Sequence, residues 1–351
     1  MPIVECVPNF SEGRDDTVIG AIAESIRAVP GAHLLDVDQG WGANRTVMTF
    51  VGEPAPVSAA AFAAIKKAAA LIDMRHHRGA HPRLGATDVC PFVPIAQADL
   101  ALCAELARSL GQRVAGELDI PVFLYGAAAQ RRERQQLPDV RRGEYEALAA
   151  RFQQPGSEPD YGRAVLNQSA GATIIGARPI LIAFNVNLNT KCKKVAASIA
   201  ASVRESGRVA KDAAGNPLLD DHGAPLRQPG TLKACRAVGW YVEEYDCAQV
   251  STNLIDFKVT SMHDAYEEIS RQATALGVEV DGAEVVGLVP LQALVRAGEF
   301  YARKKQIDVQ AEKDLVELAI SSLGLRRVRS FEAAERVLEY RLEQIELRHS
   351  I

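Results

Sequence analysis

The sequence predicts an α/β (α+β) fold made of two ferredoxin-like, βαββαβ-type subdomains whose helices pack on mixed sheets. Three observations lead there. The chain has 351 residues, and at roughly 150 residues per domain that length suggests two cores. Short β-branched runs alternate with helical apolar periodicity, the pattern of layered α/β packing. Finally, the order strand, helix, strand, strand, helix, strand is readable once before Pro179 and once after it.

In the first half, Ile3 to Pro8 is short and β-branched and stops at a Pro-Asn-Phe-Ser turn before the acidic helical start Asp15-Asp16. Val18, Ile19, Ile22, Ile26 and Val29 recur near helical spacing until Pro30-Gly31 ends the run. Strands follow at 33–38 and 45–51, and Pro54 then opens an Ala-rich helix reaching Ile72. Val89 to Ile95 reads as a strand, 98–117 as a helix and Pro121 to Tyr125 as a strand. In the second half, 180–188 is a strand, 190–204 a helix, 236–244 and 248–258 adjacent strands, 264–276 a helix and 278–288 a strand. The expected domains are 1–178 and 179–326, followed by a charged, helix-prone tail at 327–351 suited to packing on the body or on a second subunit. Between Arg208 and Gly230 two related phrases, DAAGNPL (212–218) and DHGAPL (221–226), are punctuated by Gly and Pro. They read as an exposed hairpin or arm, the functional alternative being a flap or a dimer contact.

Composition narrows the function classes. Hydrophobic residues make up 48% and charged residues 24%, ordinary for a globular enzyme. The net charge of −4, with Lys and Arg spread along the chain, lacks the footprint of a nucleic-acid binder. Cys6, Cys90, Cys103, Cys192, Cys235 and Cys247 are far apart with no C-x-x-C pair, so we expect reduced thiols rather than a zinc ribbon or a disulfide scaffold. The opening MPIVECVPNF lacks a signal-peptide pattern and no run of about 18 apolar residues occurs, so the expected location is the cytoplasm, with no membrane partner.

The densest candidate chemistry is MRHHRGAHPRLGATD (74–88), which holds His76, His77, His81, Arg75, Arg78, Arg83 and Asp88. His77 and His81 are four apart, as two metal ligands on one helix face would be. Gly79 and Pro82 oppose a continuous helix there, no zincin-type Glu lies between the histidines, and three guanidinium groups repel a further cation. The expectation is therefore no metal. A loop in which one imidazole exchanges protons while arginines grip carboxylates fits better. Composition alone does not rank His81 above His76 or His77. Neither a Walker-type G-x-x-x-x-G-K-[ST] nor a strand-to-helix G-x-G-x-x-G occurs, so no nucleotide or nicotinamide cofactor is expected. Asp36 and Asp38 end a strand beside Asn44 and Arg45, positions able to orient a substrate or the imidazole, with turn chemistry as the alternative. Asn185 and Asn187 alternate in a strand, so both face one way and can meet a heterocycle or a glutamate, or form a structural polar pair.

Several phrases, in order along the chain, carry a resemblance. They are VECVPNFSEG (4–13), NRTV (44–47) with FVG (50–52), GAHPRLGATDVCPF (79–92), LYG (124–126), GEYE (143–146), GAR (176–178), AFNVNL (183–188), QVSTNL (249–254) and VGLVP (286–290). Together they resemble the folate-dependent glutamate formimidoyltransferases along nearly the whole length. The resemblance implies transfer of a formimidoyl group from N-formimidoyl-glutamate to N5 of tetrahydrofolate, with His81, the histidine of the His-Pro-Arg phrase, as the acid-base group. It also implies a folate-binding stretch after PDYG (159–162), comprising Gly162, Arg163, Ala164, Val165, Leu166, Asn167, Gln168, Ser169, Ala170 and Gly171. Arg163 stands where relatives often have proline, and Ala170 where some have an aromatic. Both substrates are carboxylates, which makes Arg83 and Arg178 candidate clamps. Relatives suggest a homodimer, and many carry a cyclodeaminase domain for which this chain is too short. The rival readings are formyl transfer or 5-formyltetrahydrofolate metabolism at the same site, and a folate-binding protein without turnover.

Overall fold

A computed structural model describes residues 1–212 and 214–345. The expected tail at 327–351 falls outside the described residues from 346 on. Among the described residues the chain divides into two units, Met1–Pro179 with 342–345, and Ile180–Arg341.

The first unit runs β1 (Ile3–Cys6), β2 (Asn9–Phe10), α1 (Asp16–Arg27), β3 (Ala32–Gly40), β4 (Arg45–Gly52), α2 (Pro54–Leu71), β5 (Thr87–Ala96), α3 (Leu100–Leu118), β6 (Val122–Gly126), α4 (Leu137–Val140), α5 (Glu144–Arg151) and β7 (Thr173–Ala177). Strand order is β3-β4-β1/β2-β5-β7-β6, with β5, β7 and β6 parallel and the rest antiparallel. The ferredoxin-like order therefore occupies β1 to β5, and α3, β6 and β7 extend it at the β5 edge. The sequence reading assigns no element between 126 and 172, where the structure places α4 and α5. Asp15 starts α1 by accepting from the Thr17 and Val18 amides, and Ile19, Ile22 and Ile26 bury one stripe of that helix. Each such aliphatic side chain contributes about 1.5–3 kcal/mol on full burial. They join Met48, Phe50, Cys90 and Phe92 on the helix-covered side of the sheet. On the other side a smaller core gathers Leu84, Val89, Phe123, Tyr125, Val140, Leu148 and Ile174.

The second unit runs β8 (Ile182–Leu188), α6 (Lys193–Val203), β9 (Arg208–Val209), β10 (Arg227–Gln228), β11 (Cys235–Val242), β12 (Cys247–Leu254), α7 (Met262–Ala275), β13 (Val280–Val286), α8 (Leu291–Lys305), α9 (Glu312–Leu323), α10 (Ala333–Arg336) and the start of α11 (Leu338–Gln344), a helix that crosses the division after Arg341. Its antiparallel sheet is ordered β11-β12-β8-β13, the ferredoxin-like arrangement again. Phe184, Val186 and Leu188 pack with Ile199 of α6 and Ile269 of α7, so the alternate residues Asn185 and Asn187 face away from those helices. At β13 the register shifts between Val280 and Ala283, and the Ala283 amide donates to the Gly324 carbonyl, 3.4 Å away. Residues 208–212 and 214–230 form a largely exposed arm: β9 pairs with β10, and the Asp212 and Asp220 carboxylates each accept amides two and four residues on.

Candidate active site

The histidine loop leaves α2 and returns into β5. The Asp73 carbonyl accepts from His77 N, and its carboxylate from Arg75 N, making one tight turn. Gly79 follows, where an added Cβ would lie 2.2 Å from the Ala43 carbonyl oxygen, so only glycine lets the loop pass the β3–β4 turn. Leu84 then enters the smaller core, and its amide donates to Asp88 Oδ1 at 2.9 Å. Gly85 lies so close to Gly171 that a Cβ would meet the Ala170 and Ala172 oxygens at 2.4 Å.

Hydrogen bonding separates the three histidines. His76 is exposed, with its nearest charge, Asp73, 3.9 Å away. His77 is buried and both its nitrogens are engaged: Nε2–H donates to the Asn44 carbonyl at 2.9 Å, and Nδ1 accepts from Arg83 Nε at 3.1 Å. It therefore has no lone pair left for a metal or a proton relay. His81 is half-buried, and its Nδ1–H donates to the Pro82 carbonyl at 2.7 Å. That bond fixes the tautomer and leaves the Nε2 lone pair free. Burial, then the charges of Arg45 and Arg141, hold the His81 pKa well below the usual 6.5, so the ring is a neutral base at pH 7.

Around it, Arg45 and Asp38 share the sheet face turned away from α1 and α2, since Asp38 pairs with Val47 and Gly40 with Arg45. Arg45 Nε is enclosed and donates to no partner among the described residues, and burial first, then Arg141, brings its pKa down to about 10. Arg141 is held by Asp88 at 2.6 Å. Arg178 donates to the Pro179 carbonyl at 3.0 Å, and its charge acts on Tyr125, which lies across Gly176. Arg83 sits differently: it is buried and donates to Glu146 at 2.6 and 2.9 Å, to Glu144 at 3.0 Å and to His77. Asn44, at φ 48°, accepts from Gly13 N and donates to the Arg78 carbonyl, tying three loops together.

The stretch Gly162–Gly171 lies against the histidine loop. Met74 N donates to the Ser169 carbonyl at 2.8 Å, Ala86 N to Ala170 at 2.9 Å and Ala172 N to Leu84 at 3.1 Å. Asn167 Oδ1 accepts from Ala170 N, and Arg163 pairs at the surface with Asp119. In the second unit, Asn185 donates to Glu284 at 3.1 Å and Asn187 accepts from Gln249 at 2.7 Å.

The model of the formiminotransferase domain, N-terminal subdomain, matches residues 3–178, and that of the formiminotransferase domain matches 183–343. The chain belongs to the formiminotransferase family. It is 40% identical to a glutamate formimidoyltransferase of Streptococcus pyogenes serotype M1, over 87% of this chain and 95% of that one. A glutamate formimidoyltransferase of Thermoplasma acidophilum is 41% identical, over 88% and 95%. The formimidoyltransferase-cyclodeaminase of Rattus norvegicus is 48% identical over 96% of this chain, which spans 59% of that protein's length. Sequence reasoning gave no role to Arg141 or Glu284, nor to Glu144, Glu146 and Gln249, which it met only as members of the phrases GEYE and QVSTNL. The alternation of Gln249, Ser251 and Asn253 in β12 is a readable signal for that face. Arg141 has none, being 53 residues from its partner Asp88.

Proposed function

We propose that this chain transfers the formimidoyl group from N-formimidoyl-L-glutamate to N5 of tetrahydrofolate, releasing glutamate in histidine breakdown, with His81 as the acid-base group. The observation that carries the reading is that, of the loop's two sheltered imidazoles, only His81 keeps a ring nitrogen without a partner among the described residues. The likeness to the glutamate formimidoyltransferases of Streptococcus and Thermoplasma supports the same chemistry. N5 attacks the amidine carbon while Nε2 of His81 takes the N5 proton. The tetrahedral species then collapses, the C–N bond to glutamate breaks, and His81 returns the proton to the departing nitrogen. A pKa held low keeps the ring ready to accept, and the Nδ1 bond to Pro82 holds its orientation.

The enclosed, unpartnered Nε of Arg45 and the partly exposed Arg178 are the groups we assign to substrate carboxylates. Asp38 and Asn44 hold the edges of that site, and Gly162–Gly171 contacts the folate. Tetrahydrofolate is a co-substrate in this reading, no metal takes part, and the protein works in the cytoplasm as a homodimer. The test is tetrahydrofolate-dependent release of glutamate from formimidoyl-glutamate, run beside a formyl donor. H81A is expected to lose roughly 10²- to 10⁴-fold in turnover while still binding folate. Absence of release, or near-wild-type turnover in that variant, overturns the assignment.

A further inference from the structure

Asn44 of the first unit has every polar atom engaged. Its amide donates to the Trp41 carbonyl at 3.1 Å, its Oδ1 accepts from Gly13 N at 2.9 Å, its Nδ2 donates to the Arg78 carbonyl at 2.8 Å and its carbonyl accepts from His77 Nε2 at 2.9 Å. The residue is 8% exposed and stands in the left-handed region at φ 48°. Two close approaches hold the same peptide: a Cβ on Gly13 would lie 2.4 Å from Arg45 N, and one on Gly79 would lie 2.9 Å from Asn44 Cβ. The polarity of the His77 bond is set from behind. Arg83 Nε can only donate, so His77 Nδ1 must accept and the ring proton is left on Nε2, aimed at the Asn44 carbonyl. Arg83 is in turn held by Glu144 and Glu146. A chain of hydrogen bonds with one possible direction therefore runs from α5 through the histidine loop to the β3–β4 turn.

Arg45, the next residue, is the opposite case. Its Nε is enclosed and has no partner among the described residues, so no hydrogen bond at that atom orients the side chain. A long guanidinium side chain has much rotamer freedom, and its direction must come from its packing and from the backbone it leaves. We propose that Asn44 and His77 are positioning residues for Arg45: they fix the peptide from which the guanidinium springs, and thereby set its place beside His81 and its aim at a substrate carboxylate. The bond from His77 to Asn44 thus couples the loop that carries the acid-base group to the turn that carries the anion-binding group. That Arg45 meets a carboxylate rests on the proposed function; the hold on Arg45 does not.

The test reads Arg45 through His81 in substrate-free protein. After burial, Arg45 of β4 and Arg141 at the end of α4 are the charges that hold the His81 pKa down, and Asp88 of β5 and Asp38 of β3 act on Arg45 in turn. His81 is titrated by NMR on histidine-labelled protein, with R45M giving the full effect of losing that charge. H77F removes the donor to Asn44 while keeping a ring, and is expected to raise the His81 midpoint by about half of the R45M rise, since the charge moves away rather than vanishes. H77Q keeps a donor near the Nε2 place and is expected to return the midpoint most of the way to wild type. N44G keeps the positive φ but loses both side-chain anchors, so it is expected to behave as H77F does, and it decides if H77F does not fold. In steady-state assays H77F is expected to raise KM for formimidoyl-glutamate about tenfold, more than it lowers kcat, since a misaligned charge-assisted bond weakens binding first. A lowered unfolding temperature with the His81 midpoint and KM at wild-type values would show a purely structural contact and overturn the inference. If wild-type protein releases glutamate yet every His77 and Asn44 variant titrates as wild type does, the inference fails and the proposed function stands. If wild-type protein releases no glutamate, the proposed function fails, and the NMR midpoints alone decide whether Asn44 and His77 hold Arg45.

Discussion

Arg83 offers a choice between clamping a substrate and bracing the histidine loop, and R83M separates the two. The guanidinium is buried, but its partners Glu144 and Glu146 are 41% and 58% exposed, so water screens those pairs and takes up the carboxylates once released. Each pair is worth about 0.5–1 kcal/mol on that account. The larger loss is at His77 Nδ1, a buried acceptor left without its donor, at about 1–3 kcal/mol. Together the expected destabilisation is about 2–5 kcal/mol, which for a unit of this size lowers the unfolding temperature by about 4–20 °C. Methionine fills much of the stem's volume, so a cavity adds little. Turnover should fall with stability, because His81 is two residues away on the same loop. Calorimetry paired with steady-state kinetics reads both. An unfolding temperature equal to wild type, with a KM raised for formimidoyl-glutamate alone, would refute the brace and return Arg83 to the substrate.

Three further outcomes are expected. The acid limb of kcat/KM should lie below pH 6.5, because burial and two cations keep His81 unprotonated, and R45M should move it upward; a wild-type limb at or above 6.5 contradicts the geometry. Folded His77, His81 and His263 all have lowered pKa values, so below about pH 6.5 the unfolded chain binds protons that the folded one refuses. Stability measured by denaturant should therefore fall as pH drops from 7.5 to 5 and stay nearly level above that window, whereas a rise on acidification would reverse the sign. G85A places a methyl 2.4 Å from two backbone oxygens and should lower both the unfolding temperature and folate affinity, while G116A, with nothing within 4 Å in α3, should be neutral or gain up to about 1 kcal/mol. Equal behaviour of the two variants would remove the case for the close approach.

Much of the architecture is legible because periodicity is local. Val186 and Leu188 alternating with Asn185 and Asn187 announce both the strand and its two faces, and Asp15 and Pro54 mark helix starts within a few residues of where they occur. The stretch from 126 to 172 is not legible, since α4 has only four residues and is held by contacts such as Arg141 to Asp88 rather than by its own pattern. The same limit applies to the loop. His77 and His81 look alike in sequence, and what distinguishes them is Asn44 from 33 residues upstream and the direction in which Arg83 folds back. A side chain's hydrogen-bond partners are tertiary facts, and residue type alone does not reveal which imidazole is saturated.

The fourth strand of the ferredoxin-like order meets opposite fates in the two units. In the first, the free side of β5 accepts β7 and then β6, so the sheet keeps growing. In the second, the corresponding side of β13 is interrupted: the register shift at Val280/Ala283 bends the strand, Gly282 at φ 83° sits against Gly324, and the Ala283 amide is already given to the Gly324 carbonyl. An open edge strand is a template for any passing chain, and bulges and covering turns are the usual means of closing it. The turn after α9 therefore does more than end a helix. It denies β13 a full ladder of free amides and carbonyls, and so protects the second unit from strand-to-strand aggregation at the position where the first unit adds two strands of its own.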